Sequence, residues 1–537
     1  MIIRLNGRSI RAPWTQDTSG RLLLSEAAFT QVLGGQLLST NDPQQQPVAW
    51  FSNPETPIAT LLAQRLGPIR YLDITPLAQQ LGWVLQPTGD SLSLITPSSK
   101  VTAVRAEKQP WGDRITLDLD FPTPFQLDPQ AKTLEVSLDA LTDGSPGPGL
   151  QHLPDPTRSS PNPTRTLLRW PATLSQRPQV TMLANPPRIV LDINAPSPSR
   201  EIQWAPGVRW KQQAVALAAQ PINLQWLELD PRTPGLRLRP VIPNGPEIAG
   251  TAALATTANQ AGAVAAINGG YFNRNNQLPL GAIKLDNQWR SGPILNRGAI
   301  GWDDNGRFSF DRLTLQETLV TPTTRTPINF FNSAFVQGGL SRYSGEWGKT
   351  YSSLSDNEIA LSVEGNKIGT VTELPTAGSN LTLLPSSNVL IARANRTLAS
   401  TLTPGTSATI ESTVSSEVGN LPQLVGGGPL LVKNSAIVLD AAAEKFSPAF
   451  IQERAARSAI GRTASGNILI VAAQPLGGGK GLTLGEIAQV MQQLGCVDAL
   501  NLDGGSSTTL YLGGQILDRA PRSSARVHQA IGVFLTP

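Results

Sequence analysis

Four polar, glycine-rich patches interrupt the later part of the chain, each after an apolar run: Asn268-Gly269-Gly270-Tyr271-Phe272-Asn273, Gly426-Gly427-Gly428-Pro429-Leu430, Arg457-Ser458-Ala459-Ile460-Gly461-Arg462, and residues 501–509 with Asp503-Gly504-Gly505-Ser506-Ser507 at their centre. Glycine lets a backbone approach a ligand closely and adopt positive φ. Asn268, Asn273 and Asp503 bring amides and a carboxylate to the same points, and Arg457 and Arg462 bring planar cationic forks suited to phosphate. One such patch alone is a tight turn; four in one stretch, two of them more polar than a turn needs, read as a site. One cysteine (Cys496) and two histidines (His152 and His528) exclude an internal disulfide, a Cys-based zinc site and a His-rich catalytic metal site. Catalysis would fall to carboxylates, arginines, hydroxyls, amides and backbone groups.

The elements that must hold these patches are legible. Thr483-Leu484-Gly485-Glu486 is a capping box. Leu484, Ile487, Ala488, Met491 and Leu494 form one apolar helix face that Gly495 ends. The buried strand 497–502 follows and carries Asp503 at its tip, a common site architecture in α/β folds. Upstream, a helix over 251–260 and a β-run over 263–267 lead into Asn268. His528 lies in an alternating strand and reads as packed or surface. Cys496 reads as a buried thiol, and Trp204, Trp210 and Trp226 as core. Tyr343 and Trp347, in a polar loop, read as a site rim.

At roughly 150 residues per domain, 537 residues imply about three domains. Charged residues are only 15%, and 48 glycines and 45 prolines favour turns and short strands over long helices. A net charge of +4 over this length leaves no nucleic-acid footprint. No run of 18 apolar residues is present, so no membrane span is expected.

Residues 1–97 read as a small α/β module, with helices opened by Thr56-Pro57 (Ile58, Leu61, Leu62, Leu66, closed by Gly67) and by Thr75-Pro76 (Leu77, Ala78, Leu81, closed by Gly82). Ser91-Leu92-Ser93-Leu94-Ile95 alternates as a strand. The stretch from Tyr71-Leu72-Asp73-Ile74 to Leu81-Gly82-Trp83 resembles the copper amine oxidase N-terminal-like modules, which are non-catalytic. Residues 100–196 read as all-β, with alternation over 114–120, 134–138 and 188–193 and a proline-rich insertion over 142–165. Asp113-Arg114-Ile115-Thr116-Leu117, Pro124-Phe125 and Asn185-Pro186-Pro187-Arg188-Ile189-Val190 resemble an AMIN domain, a module that targets proteins to peptidoglycan or the envelope. Residues 194–200 read as a Pro/Ser linker, and residues 201–537 as the remaining domain.

In that domain Asn268-Gly269-Gly270-Tyr271-Phe272, Gly427-Gly428-Pro429-Leu430-Leu431-Val432, Arg457-Ser458-Ala459-Ile460-Gly461 and residues 494–505 together resemble the phosphodiester glycosidase family. The expected fold is multidomain α/β (α+β): a small α/β module, an AMIN-like β domain and a mixed α/β phosphodiester glycosidase-like domain. The resemblance implies hydrolysis of a sugar-1-phosphodiester of the N-acetylglucosamine-1-phosphodiester type, in envelope or exopolysaccharide metabolism. A phosphate leaves as a weak base, so a general acid is less needed than for an ordinary glycoside. Asp503 would be the base for water or the nucleophile, Arg457 would hold the phosphate, and Asn268 and Asn273 would bind sugar hydroxyls or orient water. Gly269, Gly270, Gly427, Gly428, Gly504, Gly505, Ser507 and Thr509 would line the substrate, the amides of Gly269, Gly270, Gly504 and Gly505 donating to phosphate or sugar oxygens. Ser506 stands where the family has a third glycine, and Ser458 where it has threonine. No cofactor is required by the sequence; a calcium ion held by carboxylates and carbonyls stays open, without a recognisable ligand loop. The expected partners are a sugar-phosphate or glycan substrate and, through the N-terminal domains, peptidoglycan. The alternative is a non-catalytic envelope protein that keeps the glycosidase fold to bind glycan. Export to the periplasm or envelope is expected from the N-terminal resemblances; taken literally from its first residue, the chain is cytosolic.

Overall fold

The computed structural model describes all residues except 53–55, 130–131, 143–150, 153–164, 172–177, 218–219, 244, 246–247, 386–387, 521–522 and 537. It is an α+β multidomain protein in which strands dominate and the helices are short. Most of the proline-rich insertion 142–165 lies outside the described residues.

Residues 1–97 build a four-stranded and a six-stranded sheet. The helix expected after Thr56-Pro57 is instead the strand Ala59–Leu66, paired antiparallel with Gln45–Ala49 and Ile69–Asp73. Its apolar residues serve a period of two: Leu61 and Ala63 are buried while Leu62 and Leu66 face outward. Gly67, at φ 60°, turns a hairpin there and caps no helix. The second helix forms as expected over Thr75–Gln80, with proline in its first turn. Its cap position is Ile74, and the Thr75 hydroxyl accepts from the Leu22 amide. The strands expected at 91–95, 114–120, 134–138 and 188–193 are Ser91–Ile95, Gly112–Leu119, Thr133–Leu138 and Arg188–Ile193.

Beyond residue 200, an eight-stranded sheet carries Arg457–Thr463 and Cys496–Asn501 side by side at its centre. A five-stranded sheet carries Ala265–Asn268, flanked by Ala530–Leu535 and Leu510–Leu512. A second five-stranded sheet has Gln423–Gly426 at its centre, and a seven-stranded sheet spans 315–414. The capping box at Thr483 and Glu486 is formed, and the helix Leu484–Gln493 buries Ile487, Ala488 and Met491 against the eight-stranded sheet and Leu484 against Ala441 and Phe446. Gly495, at φ 86°, then reverses the chain into Cys496–Asn501.

The Pro/Ser run at 194–200 is not an open tether. Ala195 and Ser197 are buried, and Gln179 Nε2 donates to Ser197 Oγ at 2.9 Å. One apolar core runs from Ile3 to Val533 through all three segments. Thr40 bridges to Ile202, and Trp204 Nε1 donates to the buried Glu26 carboxylate at 2.7 Å.

Candidate active site

Asp503 sits at the strand tip expected from the sequence. Its backbone is fixed on both sides: its amide donates to Gly269 O at 3.0 Å, and its carbonyl accepts from Asn268 Nδ2 at 2.6 Å. Its carboxyl is pushed up to about 6, chiefly by burial. The neighbouring Ser507 hydroxyl, the Arg274 guanidinium and the Gly504 amide oppose that rise, while Glu453 adds to it. A carboxylate with that titration, half-buried at a sheet's edge, is poised as a base near neutral pH.

Arg457 lies beside it but is not a free fork. It is 1% exposed, its Nε donates to Leu482 O at 3.1 Å and its Nη2 to Glu453 O at 2.6 Å. Nη1 remains next to Gly504, where an added Cβ would lie 3.7 Å from it. Arg457 therefore places a fixed positive charge behind the Asp503 loop. Arg462 is engaged elsewhere, as the partner of Asp498 at 2.6 Å. The exposed cation at the mouth is Arg274, whose Nη2 reaches Ser506 Oγ at 3.4 Å. It is the residue directly after the Asn273 patch, and that adjacency was the only signal for it. Glu453 follows the short helix Pro448–Gln452 and gives Arg457 its backbone carbonyl, not a side-chain ion pair along a helix.

Asn268 is brought to the site, but underneath it. Fully buried, it donates to Asp503 O and accepts from Ser458 Oγ at 2.7 Å and from Thr509 N at 3.1 Å. Its amide braces three motifs together and is not presented to substrate. Removing it strands three buried partners, each costing about 1 kcal/mol or more. Asn268→Ala should therefore lose about 2–3 kcal/mol in denaturant unfolding and lower turnover, because Asp503 loses its brace. Unchanged stability and rate would show that the brace is dispensable. Asn273 caps a surface turn, its Oδ1 accepting from Asn275 N at 2.9 Å.

Most of the glycines serve backbone crowding, not ligand contact. A Cβ on Gly270 would sit 2.0 Å from Gly426 O, and one on Gly427 2.5 Å from Asn501 O. The amides of Gly269, Gly427, Gly428 and Gly505 are spent on Gln529 O, Gly298 O, Asn501 O and Ala456 O. Gly504 alone of the expected donors turns its amide to the Asp503 carboxylate. Thr509 is buried and its hydroxyl donates to Thr508 O. Ser507 fits its expected place: it is buried beside the Asp503 carboxyl that its hydroxyl helps to hold down. Thr508 Oγ1, Asn501 Oδ1 and both side-chain polar atoms of Gln529, which packs against Gly269, have no hydrogen-bonded partner among the described residues. Buried polar groups in native proteins are normally paired, so this cluster implies water or ligand atoms as partners. Thr508 lies inside the 501–509 patch, whereas nothing in the sequence marks Gln529. Ser506, the departure from the family pattern, is exposed and points toward Arg274.

His528 is packed: fully buried, its Nε2 is 2.5 Å from Ile248 O, and burial lowers its pKa to about 4, so it is neutral. Cys496 is buried, and Trp204, Trp210 and Trp226 are core residues, as expected. Tyr343 and Trp347 are not a rim; both are buried, and Tyr343 OH donates to Ser333 O. Among the described residues no three His, Cys, Asp or Glu side chains converge as metal ligands, and no helix is long and apolar enough to cross a membrane.

Residues 357–534 match the phosphodiester glycosidase family, a span that holds three of the four motifs and leaves Asn268 and its glycines outside. The C-terminal part of the chain is thus similar to a phosphodiester glycosidase domain. Over its full length it resembles a hypothetical protein from Synechocystis of known crystal structure: identity is 39%, the TM-score 0.89, and the likeness covers 100% of this chain and 98% of that one. The chain belongs to the same family as that protein. It is also 32% identical over 115 residues to N-acetylglucosamine-1-phosphodiester alpha-N-acetylglucosaminidase of Mus musculus, covering 20% of this chain and 22% of the mouse enzyme. The catalytic domain of the zebrafish enzyme of that name aligns over 67% of this chain and 89% of its own length, at 13% identity and a TM-score of 0.33, too slight a likeness to carry an argument.

Proposed function

We propose that the chain hydrolyses a sugar-1-phosphodiester at Asp503. The observation that carries this reading is a carboxyl pushed up to about 6 by burial, next to a fixed cation and an exposed arginine, at the tip of the matched domain's central strand. Asp503 takes a proton from water as the water oxygen bonds to the anomeric carbon. The bond from that carbon to the phosphate oxygen breaks, and the phosphate monoester leaves with the electron pair. Arg274 meets the phosphate at the mouth, and the buried Arg457 stabilises the charge that develops there. The orphaned Thr508 and Gln529 groups supply partners for the sugar hydroxyls or the attacking water. The test is hydrolysis of a panel of sugar-1-phosphodiesters by the full chain, with release of the phosphate monoester as readout. Rate should fall as pH drops through about 6, when Asp503 takes up its proton. A flat profile between pH 5 and 8, in which the group changes charge, would remove Asp503 from the base role.

Envelope placement belongs to the same proposal. Residues 1–97 and 100–196 would act as wall-binding modules, supported by their resemblances to the copper amine oxidase N-terminal-like and AMIN domains. Co-sedimentation of the full chain with isolated peptidoglycan is the expected result, and its absence would leave those segments as scaffold alone.

A further inference from the structure

A groove of about 1030 Å³ opens between the hairpin strand Gln288–Ser291 and the seven-stranded sheet, and none of its lining residues belongs to the Asp503 site. We propose that this groove binds an uncharged oligosaccharide. Trp289 stands half-buried on its wall, its ring backed by Lys284 Nζ at 5.2 Å. Lys284 itself is buried and donates to Gly419 O at 3.0 Å, so it holds the indole in place without offering its charge to the groove. An immobile indole with one covered face gives a flat apolar platform, the shape that the C–H face of a sugar ring matches.

Opposite chemistry lies on the sheet. Arg342 is held flat, 3.9 Å above the Phe331 ring, by two bonds to Glu317 at 2.9 and 2.5 Å and by a third to Asn388 Oδ1 at 2.6 Å. Each Glu317 oxygen accepts one hydrogen bond and keeps lone-pair capacity, and the Asn388 amide nitrogen has no partner among the described residues. Glu346, fixed by the Ser344 hydroxyl at 2.6 Å, adds a further acceptor. Paired acceptors and donors locked in one plane match vicinal hydroxyls, each of which both donates and accepts.

Charge decides between sugar classes. Arg342 is the one cation among the described lining residues and is neutralised by Glu317, while Glu346 and Glu364 leave the groove negative. A phosphate- or carboxylate-bearing polymer is repelled.

The inference stands on the groove and not on the hydrolase reading, so binding is measured on the full chain carrying Asp503→Asn. Chitohexaose, cellohexaose and mannohexaose are titrated calorimetrically, with an alginate oligomer as the acidic counterpart and an oligolysine as the basic one. At least one neutral sugar should bind. Trp289→Ala should weaken it by about tenfold or more, the scale of a lost aromatic anchor, and Asn388→Ala should weaken it with an unchanged melting curve. The alginate oligomer should bind more weakly than the neutral sugar. No neutral sugar binding in the millimolar range, equal binding by parent and both variants, or binding of the oligolysine alone would each overturn the proposal.

Discussion

Asp503→Asn should lose turnover by a factor of about 100 or more, the scale of a removed general base, and should at the same time make the protein more stable at neutral pH. The second half follows from linkage. The ordinary carboxyl value is 3.8, and in the fold it is about 6. The folded state therefore binds a proton more readily than the unfolded chain between those values. Stability contributed by this group rises as pH falls through 6, and at pH 7 the ionised, desolvated form is carried at a cost on the order of 2 kcal/mol. Asparagine keeps the shape and removes that cost. Gain of melting temperature with loss of rate is the signature of a carboxylate kept ionised for chemistry. A turn cap gives a different result, because asparagine also caps well, so stability and rate would both stay nearly unchanged. The pH dependence of stability separates the cases further: the parent should gain stability from pH 7.5 to 5 relative to the variant, and parallel curves would show that Asp503 does not titrate as inferred.

What the sequence disclosed about this site and what it hid have a common cause. The capping box, the apolar face and the ending glycine before Cys496 are local signals, each satisfied within a turn or two of chain, and they placed Asp503 correctly. The role of Asn268 depends on partners 190 to 241 residues away, and that of Arg457 on the backbone carbonyls of Glu453 and Leu482 that the fold turns toward its guanidinium. Asn268 reads like a ligand residue because it is polar next to glycines; it is a brace because Ser458, Asp503 and Thr509 converge on it. Gly270 and Gly427 read like ligand glycines for the same reason. Their lack of a side chain is required by neighbouring backbone carbonyls, which no single-sequence pattern reports. Arg274 had only its adjacency to Asn273 to mark it and Gln529 had nothing, because an exposed arginine in a turn and a glutamine just before a strand are unremarkable until the fold sets them beside Asp503 and Gly269. The strand Ala59–Leu66 was misread because Leu61, Leu62 and Leu66 also satisfy helical spacing; pairing on both sides decided the matter.

Glu26→Ala should cost about 3–5 kcal/mol, the range for breaking a buried ion pair from one side. Glu26 is 1% exposed in the first turn of the helix Glu26–Val32. One carboxylate oxygen accepts from Arg70 Nη1 at 2.5 Å, and the other from Trp204 Nε1 at 2.7 Å. Arg70, equally buried, also donates to Gln46 Oε1 at 2.9 Å and to Pro43 O. Alanine would leave a guanidinium and an indole N–H in the core without their acceptor. Trp204 belongs to Arg200–Ala205, the outer strand of the eight-stranded sheet that carries Arg457 and Asp503's strand, and it packs under Gly513. That strand's backbone is bonded by Thr40, whose amide donates to Glu201 O and whose carbonyl accepts from Gln203 N. The N-terminal module thus covers an edge that would otherwise be open to pairing with other chains. A chain beginning at Glu201 loses the Glu26 acceptor, the Thr40 cover and part of the shared core together, so it should aggregate or melt well below the full protein. Glu26→Gln, which keeps an acceptor for one donor, should lose less than alanine, and Trp204→Phe, which removes only the N–H, should lose about 1–3 kcal/mol. Denaturant unfolding of the three variants checks that order. A soluble, fully active chain from Glu201, with Glu26→Ala near neutral, would show that the segments fold independently and that this contact is incidental.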